Sequence, residues 1–92
     1  MVTRSVTVTN PLGLHARAAA RFVHLATRFA SQIRVTRDAK VMDGKSIMGI
    51  LLLAAARGTM ITITADGSDE RDAVDALVAL VESGFGEDAC TA

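Results

Sequence analysis

Val2, Val6 and Val8 alternate with Thr3, Ser5, Thr7 and Thr9 at the start of the chain, which is the two-residue period of a strand with one buried and one wet face. The same period returns through Ile33 and Val35 in 32–36, in a short return strand over 40–42, and through Ile61 and Ile63 in 60–65. Between these segments the period changes to that of a helix. Ala19, Val23, Ala26 and Ala30, flanked by Phe22 and Phe29, predict a helix from Ala16 to about Arg28. Ser46 opens a short second helix to about Ala55, with Gly58 as its stop, and a third opens at Ser68 or Asp69 and ends at Gly84. Ala73, Val74, Leu77, Leu80 and Val81 give that third helix its buried stripe. Four short strands and three helices with one apolar face each are best satisfied by a sheet covered on a single side, an α+β two-layer sandwich.

Ninety-two residues confine this arrangement to one domain with one core, spanning 1–92, with 85–92 expected as a frayed tail. Half of the residues are apolar, yet no apolar run has the length of a membrane span, so no membrane insertion is expected. The start of the chain lacks the basic segment, apolar run and cleavage site of an export signal. Cys90, the one cysteine, has no disulfide partner, and both observations fit a cytoplasmic protein. The net charge of zero hides an asymmetry: Arg4, Arg17, Arg21, Arg28, Arg34 and Arg37 all precede the first carboxylate, Asp38. A basic first third suggests docking to acidic surfaces or binding of phosphate. Nucleic acid is a poor partner, because three Phe with no Tyr or Trp offer little for bases to stack on.

The chemistry concentrates in Gly13-Leu14-His15-Ala16-Arg17-Ala18-Ala19-Ala20. Asn10, Pro11 and Gly13 break the strand, and the alanine run begins directly after the histidine, so His15 falls at or next to a helix N-cap. Backbone N–H groups at a helix start lack intrahelical acceptors and carry the positive end of the dipole, which makes an anion welcome beside the ring. Arg17 adds a planar guanidinium suited to phosphate oxygens. Histidine is also a competent nucleophile near neutral pH, since an unperturbed pKa of about 6.5 leaves much of it unprotonated. A metal is not implied, because His15 and His24 have no thiolate or carboxylate spacing around them to complete a site.

A second stretch, Asp43-Gly44-Lys45-Ser46-Ile47-Met48-Gly49-Ile50, repeats the design of turn residues followed by a helix cap. Ile47, Met48, Leu51 and Leu52 are more apolar than one buried face of a short helix needs, so some of them are expected to form an exposed docking patch. Arg17, Arg21, His24 and Arg28 recur at i, i+4, i+7 and i+11, a basic stripe that begins beside His15.

Gly-Leu-His-Ala-Arg at 13–17 together with Gly-Lys-Ser-Ile-Met-Gly at 44–49, in a chain of this length, resembles the HPr family, the histidine-containing phosphocarriers of the bacterial phosphoenolpyruvate-dependent phosphotransferase system. The resemblance runs from about Val2 to Gly84. It implies an open-faced sandwich with an antiparallel sheet in the order 1-4-2-3, an order that pattern alone does not fix. It further implies that Nδ1 of His15 accepts a phosphoryl group from phosphoenolpyruvate-charged enzyme I and passes it to the histidine of an enzyme IIA domain. Arg17 then stabilises the phosphate, and Arg21, His24, Ile47, Met48 and Leu51 meet the partners. Such a protein is a carrier and not an enzyme in its own right, needs no cofactor, and is expected as a monomer. Ser46 matches a regulatory phosphosite in bacteria that possess HPr kinase/phosphorylase.

One position departs from the family pattern, which has proline after the arginine where this chain has Ala18. Alanine keeps the helix and relaxes the fixed φ of its first turn, so phosphorylation is expected to survive. The alanine-rich start and the run Leu51 to Ala56 look somewhat like the nitrogen-related regulatory branch, which is the alternative within the family. A non-covalent anion-binding module and a passive adaptor using the 47–52 patch are the alternatives outside it.

Overall fold

In a computed structural model, which describes residues 1–86, the alternating segments form β1 (Val2–Thr7), β2 (Gln32–Arg37), β3 (Lys40–Asp43) and β4 (Met60–Asp66). They lie in the order β1-β4-β2-β3, and each neighbouring pair is antiparallel. Val6 faces Ile61, Ile33 faces Ala65, and Val35 faces Ile63 on one side and Met42 on the other. All of these but the half-buried Met42 are buried, whereas Thr3, Ser5 and Arg34, on the opposite face, are exposed. On that wet face the hydroxyls of Ser5 and Thr62 lie 3.0 Å apart and those of Thr3 and Thr64 3.3 Å apart across the strands. The two-layer architecture is the one expected from the sequence pattern, and the strand order is the one that the family resemblance implies.

The helices α1 (Ala16–Ala26), α2 (Ile47–Leu52) and α3 (Glu70–Glu82) cover the apolar face, with α3 over β1 and β4, α2 beside β3, and α1 between the other two helices. Arg4, which shares the helix-facing side of edge strand β1, stays at the rim and pairs with Asp75 of α3 at 2.8 Å. Asp69 caps α3 without bonding its own helix. Its carboxylate accepts from the N–H groups of Ala30 (2.8 Å) and Ser31 (2.9 Å) and from the Ser31 hydroxyl, tying the start of α3 to the start of β2. These donors, the hydroxyl foremost, hold its pKa below the usual aspartate value of 3.8.

Three expectations are corrected. The first helix stops at Ala26, because the N–H groups of Arg28 and Phe29 fold back on Leu25 and Ala26 in a tighter turn, and Ala30, expected in the core, is exposed with its N–H given to Asp69. The second helix ends at Leu52 and not near Ala55. The carbonyls at its end and just beyond are taken by side chains of the β2–β3 hairpin: Lys40 donates to Leu52 O at 3.4 Å, and Arg37 to Leu53 O at 2.8 Å and Ala54 O at 3.2 Å. Gly58 instead turns the chain into β4 and gives its N–H to Val8 O at 2.7 Å. Third, Phe85 is no frayed residue but is fully buried in a single 3-10 turn, Gly84–Gly86, packed against α1 and α3. Cys90 lies outside the described residues.

Candidate functional site

Asn10 is buried and its side-chain amide donates to Gly13 O at 2.7 Å, while Gly13 N–H closes the turn on Asn10 O at 3.1 Å. The next N–H, that of Leu14, donates to Ala55 O at 2.9 Å, and Leu14 itself is buried. Gly13, at φ +65, presses so closely on the chain leaving α2 that a Cβ on it would fall 2.6 Å from Ala55 O and 2.9 Å from Ala56 Cα. Asn10, Gly13 and Leu14 therefore fix the loop before it delivers the next residue, His15. Sequence reasoning took Asn10 only as a strand breaker; a buried side-chain amide and a strand-ending one look alike in a local window.

His15 is the N-cap of α1, with extended backbone (φ −77, ψ 179) and no side-chain bond to the helix end. Ala19 is the first residue whose N–H reaches a carbonyl of this turn, His15 O at 2.8 Å. The N–H groups of Ala16, Arg17 and Ala18 therefore have no intrahelical acceptor and mark the positive end of the helix dipole. The ring is half-buried, the Arg17 side chain is exposed, and Ala18, at the family's proline position, is buried against the core. An imidazole, the start of an eleven-residue helix and a guanidinium thus share one end of α1. Such a set can hold a tetrahedral anion against a nucleophilic nitrogen.

The second motif is largely architectural. Gly44 is buried where a Cβ would fall 2.4 Å from Ile33 Cγ2, Lys45 Nζ donates to Phe29 O at 2.8 Å, and Ser46 Oγ accepts from Gly49 N–H at 3.1 Å as the N-cap of α2. Beyond this cap Ile47, Met48 and Leu52 are exposed by 46%, 65% and 54%, a patch large enough to matter on a helix of six residues. Leu51 departs from the expected docking set: it is half-buried and packs against the core, and Leu52 stands outward in its place. Leu12, 71% exposed in the loop just before His15, is an apolar side chain that sequence reasoning left out of the patch. It lies in a loop, where no helical period singles it out. Arg21 and His24 are exposed along α1 and Arg28 in the turn just after it, in line with the stripe, and Arg21 also donates to Phe85 O. Among the described residues no helix is long and apolar enough to cross a membrane.

The model of the family described as PTS HPr component phosphorylation site matches residues 2–83. The phosphocarrier protein HPr of Cupriavidus necator is 48% identical over 87 residues, which cover 95% of this chain and 98% of that protein. A solved structure of HPr from Thermoanaerobacter tengcongensis superposes with a TM-score of 0.92 at 46% identity, covering 96% of this chain and 99% of that one. An HPr dimer from the same organism gives a TM-score of 0.76 at 47% identity, covering 95% and 100%.

Proposed function

The chain belongs to the HPr family, the phosphocarriers of the phosphotransferase system, and from that membership we propose that His15 is the residue it loads and unloads. A carrier of this kind does not turn over alone; its partners are phosphotransferase-system proteins such as enzyme I and enzyme IIA. The observation that carries the assignment is the N-cap position of an imidazole directly before three N–H groups with no acceptor in the helix.

The transfer follows from that geometry. The lone pair of Nδ1 attacks phosphorus in line with its bond to the imidazole of enzyme I; that bond breaks as the new N–P bond forms. Charge spreads over the three equatorial oxygens in a loose transition state, so positioned donors matter more than an acid or a base. The helix-start N–H groups and Arg17 supply those donors, and the Asn10–Leu14 clamp holds the ring in place. The resulting N–P bond passes the group to the histidine of an enzyme IIA by the same displacement in reverse. Arg21, His24, Ile47, Met48 and Leu52 form the surface those partners meet, in the cytoplasm, on a chain acting as a monomer. We take the recipient to be a sugar-transport IIA; transfer confined to a nitrogen-regulatory IIA would move the chain to that branch. Ser46 serves first as a cap, and a phosphate on it would add negative charge at the edge of the docking patch, weakening association with an acidic partner.

Incubation with phosphoenolpyruvate and enzyme I, read by intact mass, tests the assignment. One acid-labile phosphate is expected on the wild type and none on His15→Ala. An adduct that persists in His15→Ala, or no adduct on the wild type, would overturn it.

A further inference from the structure

Arg37 closes β2, and the two-residue alternation that buries Ile33 and Val35 turns it toward the same, helix-covered side of the sheet. A half-buried cation in that place needs acceptors. Its Nη1 donates to Leu53 O at 2.8 Å and to Ala54 O at 3.2 Å, so one guanidinium nitrogen holds two successive carbonyls of the segment that leaves α2. Its Nε lies 3.9 Å from Asp38 Oδ2, a carboxylate 88% exposed and too well hydrated to draw the side chain away.

Ala54 is the residue that most needs holding. Its φ of +50 is one that an L residue rarely adopts, and α2, with six residues, is too short to impose it. The residues on either side are fixed: Leu53 and Ala55 are buried, and Ala55 O accepts from Leu14 N–H at 2.9 Å while pressing on Gly13. The carbonyls of 53, 54 and 55 are therefore bound to a strand end on one side and to the loop before His15 on the other. Bonds from a charged donor are roughly twice as strong as neutral ones, so the strand end has the firmer grip. From the guanidinium to the imidazole the path runs through Ala54 O, Ala55 O and Leu14 N–H, backbone throughout once it leaves Arg37.

We propose that Arg37 is a positioning residue for phosphoryl transfer at His15: by gripping Leu53 O and Ala54 O it sets where Ala55 O stands, and hence where the Asn10–Leu14 turn delivers the imidazole. It touches neither the ring nor the phosphoryl group. Without it Ala54 relaxes toward an ordinary φ, Ala55 O moves, and Leu14 N–H loses its acceptor. Lys40, which donates to Leu52 O at 3.4 Å, reaches only the last residue of the helix and so does not share this role. The effect on transfer rests on the carrier reading; the coupling of Arg37 to Leu14 does not.

Arg37→Met in the full chain keeps the aliphatic stem and removes the donors. Hydrogen exchange, which needs no phosphoryl donor, should show the Leu14 amide opening about tenfold or more faster in this variant relative to the β4 amides of Ile61 and Ile63, which report global unfolding. Rapid mixing with pre-charged enzyme I should give a transfer rate at saturation about three- to tenfold lower, with the half-saturating concentration within about twofold, because the imidazole is displaced while the docking patch is not. A loss of stability alone would leave the saturated rate of the folded protein where it was. Lys40→Met should match the wild type within about twofold in both measurements. Equal changes at Leu14 and in β4, a saturated rate that is unchanged, or the same losses in Lys40→Met would overturn the proposal. A wild type that takes no phosphate on His15 would overturn the carrier assignment instead, and exchange at Leu14 would still decide the coupling.

Discussion

Gly13→Ala puts the close approach that seats His15 to a direct test. A Cβ at this position meets two backbone atoms, Ala55 O at 2.6 Å and Ala56 Cα at 2.9 Å, neither of which can rotate away. The residue also stands at φ +65, where an L side chain costs about 1–2 kcal/mol. Overpacking adds about 1–3 kcal/mol, so the whole change is about 2–5 kcal/mol. Gly58→Ala is the matched control. It has the same hand of backbone, φ +89, but nothing lies within 4 Å of its would-be Cβ, so only the conformational cost of about 1–2 kcal/mol applies. Urea unfolding of both variants gives the stability difference. The rate of loading from enzyme I, measured where both are folded, gives the positional one: about ten- to a hundredfold slower for Gly13→Ala, since a displacement near 1 Å at a reacting group has that effect, and within about twofold for Gly58→Ala. Equal losses in the two variants, in stability or in loading, would refute the reasoning that the Gly13 contact holds the imidazole in register.

Three further outcomes follow from the site and its supports. Ser46→Ala should lower stability by about 1 kcal/mol through loss of the bond to Gly49 N–H, whereas Ser46→Asp should keep the cap and instead weaken enzyme I binding, as urea unfolding and calorimetric titration would separate. Met48→Ala, at a side chain 65% exposed, should leave stability within about 0.5 kcal/mol and weaken enzyme I binding by more than about 1 kcal/mol; an unchanged affinity would remove Met48 from the interface. The folded-state pKa of Asp69 lies below its ordinary value of 3.8, so its contribution is in place above that pH and is lost as the pH falls through the folded value. The urea midpoint of the wild type should accordingly drop below about pH 4, while Asp69→Asn starts lower at neutral pH and shows a flatter acid limb.

The strands were legible because alternating Val and Thr admit one phase, and a slip by one residue would turn every valine to water. The placement of His15 was legible for a related reason: strand breakers followed at once by an alanine run leave one place for a helix to begin. What escaped was set by contacts distant in the chain. Gly58 looks like the stop of α2, but Ala54, at φ +50, takes the left-handed place of a terminal glycine and gives its N–H to Leu51 O, while Arg37 and Lys40, from the preceding hairpin, bind the carbonyls of 52–54. Ala30 continues the helical spacing of α1 in sequence, yet its N–H belongs to Asp69, thirty-nine residues away. Phe85 sits between two glycines before an acidic stretch and so reads as a tail, although an aromatic side chain at that place was itself a sign of burial. Leu51 and Leu52 could not be told apart because a helix of six residues is too short to phase its own faces.

A helix of six residues would not persist in water on its own propensity. In this chain Ser46 anchors one end of it and Arg37 with Lys40 the other, so its shape depends on residues that a visiting protein need not touch. Ile47, Met48 and Leu52 are thereby released from any duty to keep the segment helical. Those three positions can drift to suit new companions over evolutionary time, with the scaffold that displays them left intact.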